Sequence, residues 1–203
     1  MQVLVVVAHP CAESFNHAIA ERACAGLAEA GHDVDRIDLY AAGIEAAMPA
    51  DEWRSYVDAA STGTSDSPGI APWVREHIAR IRTADAIVFV YPTWWSSLPA
   101  LLKGWLERCM RPGVAFKLDG RGRMRPALSN LRRIIGISTY GSSWWYVKAV
   151  NDNGRRILCR ALHASAGPRS RTTWLPFYSV DTSTPSRRAA FLERVHDTMR
   201  ALR

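Results

Sequence analysis

Six apolar residues in a row, Val3 to Ala8, run straight into His9-Pro10. A strand with one wet face alternates apolar and polar residues. An unbroken apolar run of this length, closed by a turn signal, predicts a strand buried on both faces, as in a parallel sheet covered by helices. The device recurs at Ala86 to Tyr91, stopped by Pro92, and at Ile134 to Ser138. Val34 to Leu39 and Thr172 to Tyr178 supply two further strands.

Helical stripes alternate with these strands. Ile19, Ala23, Leu27 and Ala30 follow Ser14 and end at Gly31, where a left-handed cap would stop the helix. Val74, Ile78 and Ile81 mark a second helix, and Pro99 opens a third through Leu102, Trp105, Leu106 and Cys109. A helix is predicted across residues 146–162, and a last one from Thr184-Pro185 through Leu192, Val195, Met199 and Leu202. Residues 41–69 lose clear periodicity, include the small polar stretch STGTSDSPG, and read as an excursion from the core. The whole is five βα repeats, an α/β fold with a doubly wound, five-stranded parallel sheet and helices on both faces. At 203 residues the chain suits one domain spanning 1–203.

Composition narrows the function. No run approaches the ~20 apolar residues of a membrane span, and no basic leader precedes Val3, so a cytoplasmic protein is expected. The four cysteines show neither metal-site nor disulfide spacing, so no metal is expected. A formal charge of +7 favours an anionic partner. Only three of the 26 basic residues are lysines, and the arginines are spread along the chain, which argues against a nucleic-acid module.

In a doubly wound sheet, ligands bind beyond the carboxyl ends of the strands, where strand order reverses. Three loops follow such ends. HPCAESFN lacks both GxGxxG and GxxxxGK[ST], but sets His9, Ser14 and Asn16 just before a helix N-terminus, where free N–H groups and the helix dipole favour an anion. Taken alone, it also reads as a turn and an ordinary N-cap. YPTWWSSLP places Trp94 and Trp95 between prolines, with Ser96 and Ser97 beside them: aromatic walls and donors for a planar ligand, or a pair of rings sealing the core. STYGSSWWY again ends a strand in hydroxyls, rings and a glycine, Gly141, which permits close approach of backbone to a ring. One anion site and two aromatic loops on one edge describe a phosphorylated planar cofactor, best matched by a flavin.

AHPCAESFNHA, YPTWWSSLPALLKGWLERCMRPGVAF and ISTYGSSWWY together resemble the NAD(P)H:quinone oxidoreductase family, a flavodoxin-like group that includes mammalian quinone reductase and bacterial drug-activity modulator proteins. The likeness runs from residue 3 to about 146 and is weak beyond 150. It implies strand order 2-1-3-4-5 and a cycle in which NAD(P)H gives hydride to bound flavin, after which a quinone or similar acceptor takes the same place. His9, Ser14, Phe15 and Asn16 would hold the flavin phosphates, the last two partly through backbone amides. Pro92, Thr93, Trp94, Trp95 and Ser96 would border the flavin ring, and Thr139, Tyr140, Gly141 and Ser142 its pyrimidine side. Tyr146 falls where the family has a catalytic tyrosine. Mammalian members carry a histidine shortly after it; VNDNG has none here, and Asp152, nearest by count, would repel an anionic reduced flavin unless protonated. The resemblance implies FAD, with FMN as the alternative, and a homodimer, for whose interface Trp53, Trp144 and Trp145 are candidates. A flavodoxin-type electron carrier would instead show an acidic surface and an SxTGxT-like loop. A regulatory subunit of a membrane transport protein would share the fold.

Overall fold

The computed structural model describes residues 1–62 and 69–203, with side chains at 60–62 left out. Five parallel strands form the main sheet: β1 (Gln2–Val7), β2 (Asp33–Asp38), β3 (Ala86–Pro92), and, numbered in chain order past a small hairpin of β4 (Phe116–Leu118) and β5 (Met124–Pro126), β6 (Arg133–Thr139) and β7 (Arg171–Phe177). Their order is β2-β1-β3-β6-β7, all neighbours parallel, which is the order 2-1-3-4-5 expected for five repeats.

The unbroken strands serve two cores. Val3, Val5, Val7, Val88, Val90, Ile135 and Ile137 pack on one face with α1 (Phe15–Glu29) and, at the chain's end, α8 (Pro185–Arg200). Leu4, Val6, Ala8, Ile87, Phe89 and Tyr91 face the other, against α3 (Pro72–Thr83), α4 (Ala100–Cys109) and Leu158, Leu162 and Ala166. Successive side chains on a strand point to opposite faces, so a strand covered twice must be apolar throughout.

Three features depart from the sequence reading. The excursion holds a helix, α2 (Ala50–Thr62), whose buried residues include Glu52 and Ser55 rather than an apolar stripe. Arg108 on α4 grips Glu52 with two hydrogen bonds, 2.9 and 2.6 Å, and donates to the carbonyls of Glu45 and Ala47. Gly104 lets the excursion lie on α4, because a Cβ there would stand 2.3 Å from the Ala46 carbonyl oxygen. Residues 63–68, within STGTSDSPG, lie outside the described residues.

The helix predicted across 146–162 is broken. α5 (Trp144–Ala149) stops before Asn151 and Asp152, whose φ angles of 79° and 44° no helix tolerates, and α6 (Asn153–Arg156) restarts the chain. A π-helical segment (Ile157–Leu162) and α7 (His163–Ala166) complete it. The β4–β5 hairpin is the third departure; its strands are too short and too exposed to leave a pattern.

Candidate active site

Register brings the strand ends level: Pro92 pairs with Thr139, and Thr139 with Phe177. The segments after β1, β3, β6 and β7 therefore leave the sheet on one edge, at which strand order reverses between the neighbours β1 and β3.

In the first loop, the Cys11 N–H donates to His9 Nδ1 at 3.1 Å. A backbone N–H can only donate, so Nδ1 is the acceptor and the ring's proton sits on Nε2. Burial, the largest influence, lowers the His9 pKa below the ordinary imidazole value, and His17 adds to the effect. His9 is thus a neutral donor. His17 fixes its position: Arg36 donates to His17 Nδ1 at 3.1 Å, leaving His17 Nε2 to donate to the His9 carbonyl, also at 3.1 Å. Sequence reasoning passed over His17, since its partner Arg36 lies on the neighbouring strand.

Ser14 is the N-cap of α1, its Oγ accepting from the His17 N–H at 3.4 Å. Phe15 turns its ring inward on Phe177 and Phe191, and Asn16 donates to Thr139 Oγ1 at 3.1 Å in a buried bond. Neither side chain of this pair faces outward. What the first turn offers a ligand is its backbone N–H groups, which have no intrahelical acceptor, together with the dipole of a 15-residue helix.

The second loop carries strain. Trp94 and Ser97 exchange backbone hydrogen bonds of 3.2 and 3.0 Å, and the two residues between them, Trp95 and Ser96, have φ of 48° and 59°. Positive φ at both central positions defines a type I′ turn, which favours glycine or asparagine. Here it holds a tryptophan 99% exposed. Strain of this kind persists where the surroundings enforce it, and it clusters at ligand clamps. The Trp94 ring lies 6.0 Å from that of His9, which joins the first two loops. Pro92 is buried at the end of β3, and the Thr93 hydroxyl bonds Ser138 at 2.8 Å.

Beside this turn lies a cavity of about 240 Å³. Thr93, Trp95 and Ser96 form one wall. Tyr140, Gly141 and Ser142 form another, and Tyr146, Val147, Val150 and Asp152 close it. Tyr146 is half exposed, and among the described residues its hydroxyl meets no hydrogen-bond partner. The buried Tyr140 instead stacks on Tyr178 and donates to Asp152 at 2.9 Å. Burial first, then the Asp152 carboxylate, push its pKa well above the ordinary phenol value, so it keeps its proton. In sequence Asp152 lies near the site only by count; the left-handed turn at 151–152 carries it into the wall. Seven of the sequence-predicted residues thus line one cavity, while His9, Ser14, Phe15, Asn16, Pro92, Trp94 and Thr139 lie outside its lining, at the start of α1, in the second loop and at the strand ends beside it. The arrangement suits a flat ring against the strained turn with a charged tail reaching α1. A larger cleft of about 630 Å³, between α4, the hairpin and the π-helical segment, has walls such as Leu106, Met110, Phe116 and Ile157, which offer almost nothing to orient a reacting group.

A family model described as a flavodoxin-like fold matches residues 1–202. The human protein named ribosyldihydronicotinamide dehydrogenase (quinone) is 28% identical over 184 residues, 81% of this chain and 74% of that one. NAD(P)H dehydrogenase (quinone) 1 of Rattus norvegicus is 28% identical over 153 residues, 71% of this chain and 56% of its own length. The solved structure of an NAD(P)H:quinone oxidoreductase from Methanothermobacter marburgensis superposes with a TM-score of 0.86 at 26% identity, covering 100% of this chain and 99% of that one.

Proposed function

Because the chain belongs to the flavodoxin-like family, we propose that it is a flavin-dependent NAD(P)H oxidoreductase passing two electrons to a quinone or similar acceptor in two half-reactions that share one pocket. The observation that carries this reading is the strained Trp94–Ser97 turn, which holds the exposed Trp95 and the hydroxyl of Ser96, with Thr93 just before them, at a cavity beside the strand ends. Related proteins are named for quinone reduction, but with two donors, a ribosyldihydronicotinamide and NAD(P)H. NAD(P)H is the donor proposed here.

The residues present fit a flavin. Its phosphate would lie at the start of α1, held by the Phe15 and Asn16 N–H groups, Ser14 and the Nε2–H of His9. Its ring would lie in the cavity bordered by Trp95, Ser96 and Gly141, where a Cβ on Gly141 would reach to 2.7 Å from Asp181 Oδ2. When bound, a flavin supplies the electron chemistry, accepting hydride from the dihydronicotinamide and returning it to the acceptor. The protein fixes stacking and keeps donors near the ring: the Tyr146 hydroxyl and the backbone N–H groups around Gly141. FAD is the proposed form, with FMN the alternative. Exposed Trp53, Trp144 and Trp145 suit contact with a second copy, and a homodimer is proposed. Among the described residues no helix is long and apolar enough to cross a membrane.

Anaerobic mixing with NADPH tests the reading. The flavin absorbance should bleach and return on adding a quinone. Tyr146→Phe should keep its flavin and bleach more slowly, by about tenfold or more for the loss of a positioned donor. Unchanged bleaching would remove Tyr146 from the reaction.

A further inference from the structure

The strands also begin level, at the end of the sheet opposite the candidate active site: Ala86 pairs with Arg133, and Arg133 with Arg171. Backbone bonds extend this row by one residue. The Arg132 N–H donates to the Asp85 carbonyl at 2.7 Å, and the Arg171 N–H to the Arg132 carbonyl at 2.9 Å. A cavity of about 590 Å³ opens there, and Arg203 joins Arg132, Arg133, Arg169 and Arg171 in its lining. Asp85 is the one acidic side chain of that lining, and its Oδ2 accepts the Gln2 N–H at 2.9 Å. Among the described residues none of the five arginines is in an ion pair. Arg133 and Arg203 donate only to the neighbouring carbonyls of Arg132 and Leu202. Arginines elsewhere are matched: Arg22 with Glu193, Arg80 with Asp35, Arg108 with Glu52, and Arg125 with Asp119. Paired residues of neighbouring strands lie about 4.8 Å apart and share a face, so Arg133 and Arg171 hold like charges side by side, an arrangement that costs stability.

We propose that this cavity binds a compact, polyvalent oxyanion of the oligophosphate class. The seven residues of β6 set it about 20 Å from the candidate active site, so it is a separate site with a separate ligand. Crowded cations around a concavity repel one another and are relieved by an anion, which planar guanidinium groups bind with two hydrogen bonds each. A single phosphate group carries at most about two charges near neutral pH and would leave most of the five arginines unmatched, so two or more linked phosphates fit better. A concave lining admits a small ligand but keeps a flat bilayer surface at a distance. None of the exposed tryptophans or other large exposed apolar side chains lies in it to anchor in lipid. The bound anion ties the starts of β6 and β7 to the chain beyond α8, and its binding therefore resists unfolding.

Arg132 and Arg169 are exposed and lie just outside β6 and β7, so alanine at both removes charge and leaves the backbone row and the core in place. Calorimetry of the full chain, with FAD added, should show inorganic tripolyphosphate binding. Arg132→Ala/Arg169→Ala should raise its Kd by about tenfold or more, since charge-assisted bonds to phosphate are lost. Arg132→Lys/Arg169→Lys keeps the charges but not the planar fork and should bind with intermediate strength, which holds the test even if alanine disturbs the fold. Tripolyphosphate should also raise the thermal unfolding midpoint of the parent, and do so far less for the alanine variant. No binding by the parent, equal binding by parent and alanine variant, or binding abolished by about 0.15 M sodium chloride would overturn the proposal. Binding confined to phosphatidylglycerol vesicles or to single-stranded DNA, with none of tripolyphosphate, would overturn it too. None of these measurements requires turnover, so their outcome is separate from that of the oxidoreductase reading.

Discussion

Tyr140 Oη donates to Asp152 Oδ1 at 2.9 Å, tying the end of β6 to the left-handed turn in the cavity wall. Asp152 sits at the N-cap position of α6 but makes no side-chain cap bond, because its carboxylate is turned toward Tyr140 instead. The bond therefore holds the turn at the expense of the helix start. Tyr140→Phe leaves a buried carboxylate without this donor, and should destabilise the protein by about 1.5–3 kcal/mol while loosening the cavity wall. Urea unfolding of the variant and the parent, alongside flavin titration, checks it; equal midpoints and equal flavin affinity would show that the bond does neither.

The Arg108–Glu52 pair joins α4 to α2 where both side chains are nearly inaccessible, 2% and 0% exposed. Arg108 also lies 4.5 Å over the Trp73 ring, so its charge is met from several sides. Glu52→Ala would strand a buried guanidinium and should cost about 3–5 kcal/mol. Glu52→Leu/Arg108→Met, which removes both charges, should recover much of that loss. Thermal unfolding of the three proteins makes the comparison, and a double variant no more stable than Glu52→Ala would contradict it.

Histidine gives the pH dependence. Trp105 Nε1 donates to His77 Nδ1 at 3.0 Å, which requires that nitrogen to be unprotonated. Burial lowers the His77 pKa most, and Arg80 lowers it further. The unfolded chain, with His77 near 6.5, then binds more protons than the folded one as pH falls below about 7. Stability from this group is complete above that range and is lost as pH falls through 6.5 toward the folded value. His9, lowered by burial too, acts in the same sense. His77→Asn keeps an acceptor for Trp105 and should flatten, without abolishing, the fall in unfolding midpoint between pH 7 and 5. An identical slope in both proteins would exclude His77 as a source.

The sequence revealed the sheet because strands covered on both faces must be continuously apolar, as Val3 to Ala8 and Ala86 to Tyr91 are. It concealed α2 because that helix buries Glu52 and Ser55, residues whose place inside makes sense only once Arg108 and Arg111 are known to meet them. The break at Asn151 and Asp152 did have a local signal, the run NDNG, which carries three residue types that accept positive φ. The loop residues of the site were legible because they follow strand ends. Pairings such as Asn16 with Thr139, 123 positions apart, were not, since only the strand order brings them together.

In the function proposed above, loops after three strands hold a flavin. Releasing and chromatographing any pigment from the purified protein, and titrating pigment-free protein with FAD and FMN, tests it most directly. Near-stoichiometric flavin is expected, either carried through purification or taken up on titration, with quenching of tryptophan fluorescence from Trp94 and Trp95. Protein that contains no flavin and binds neither form would contradict it.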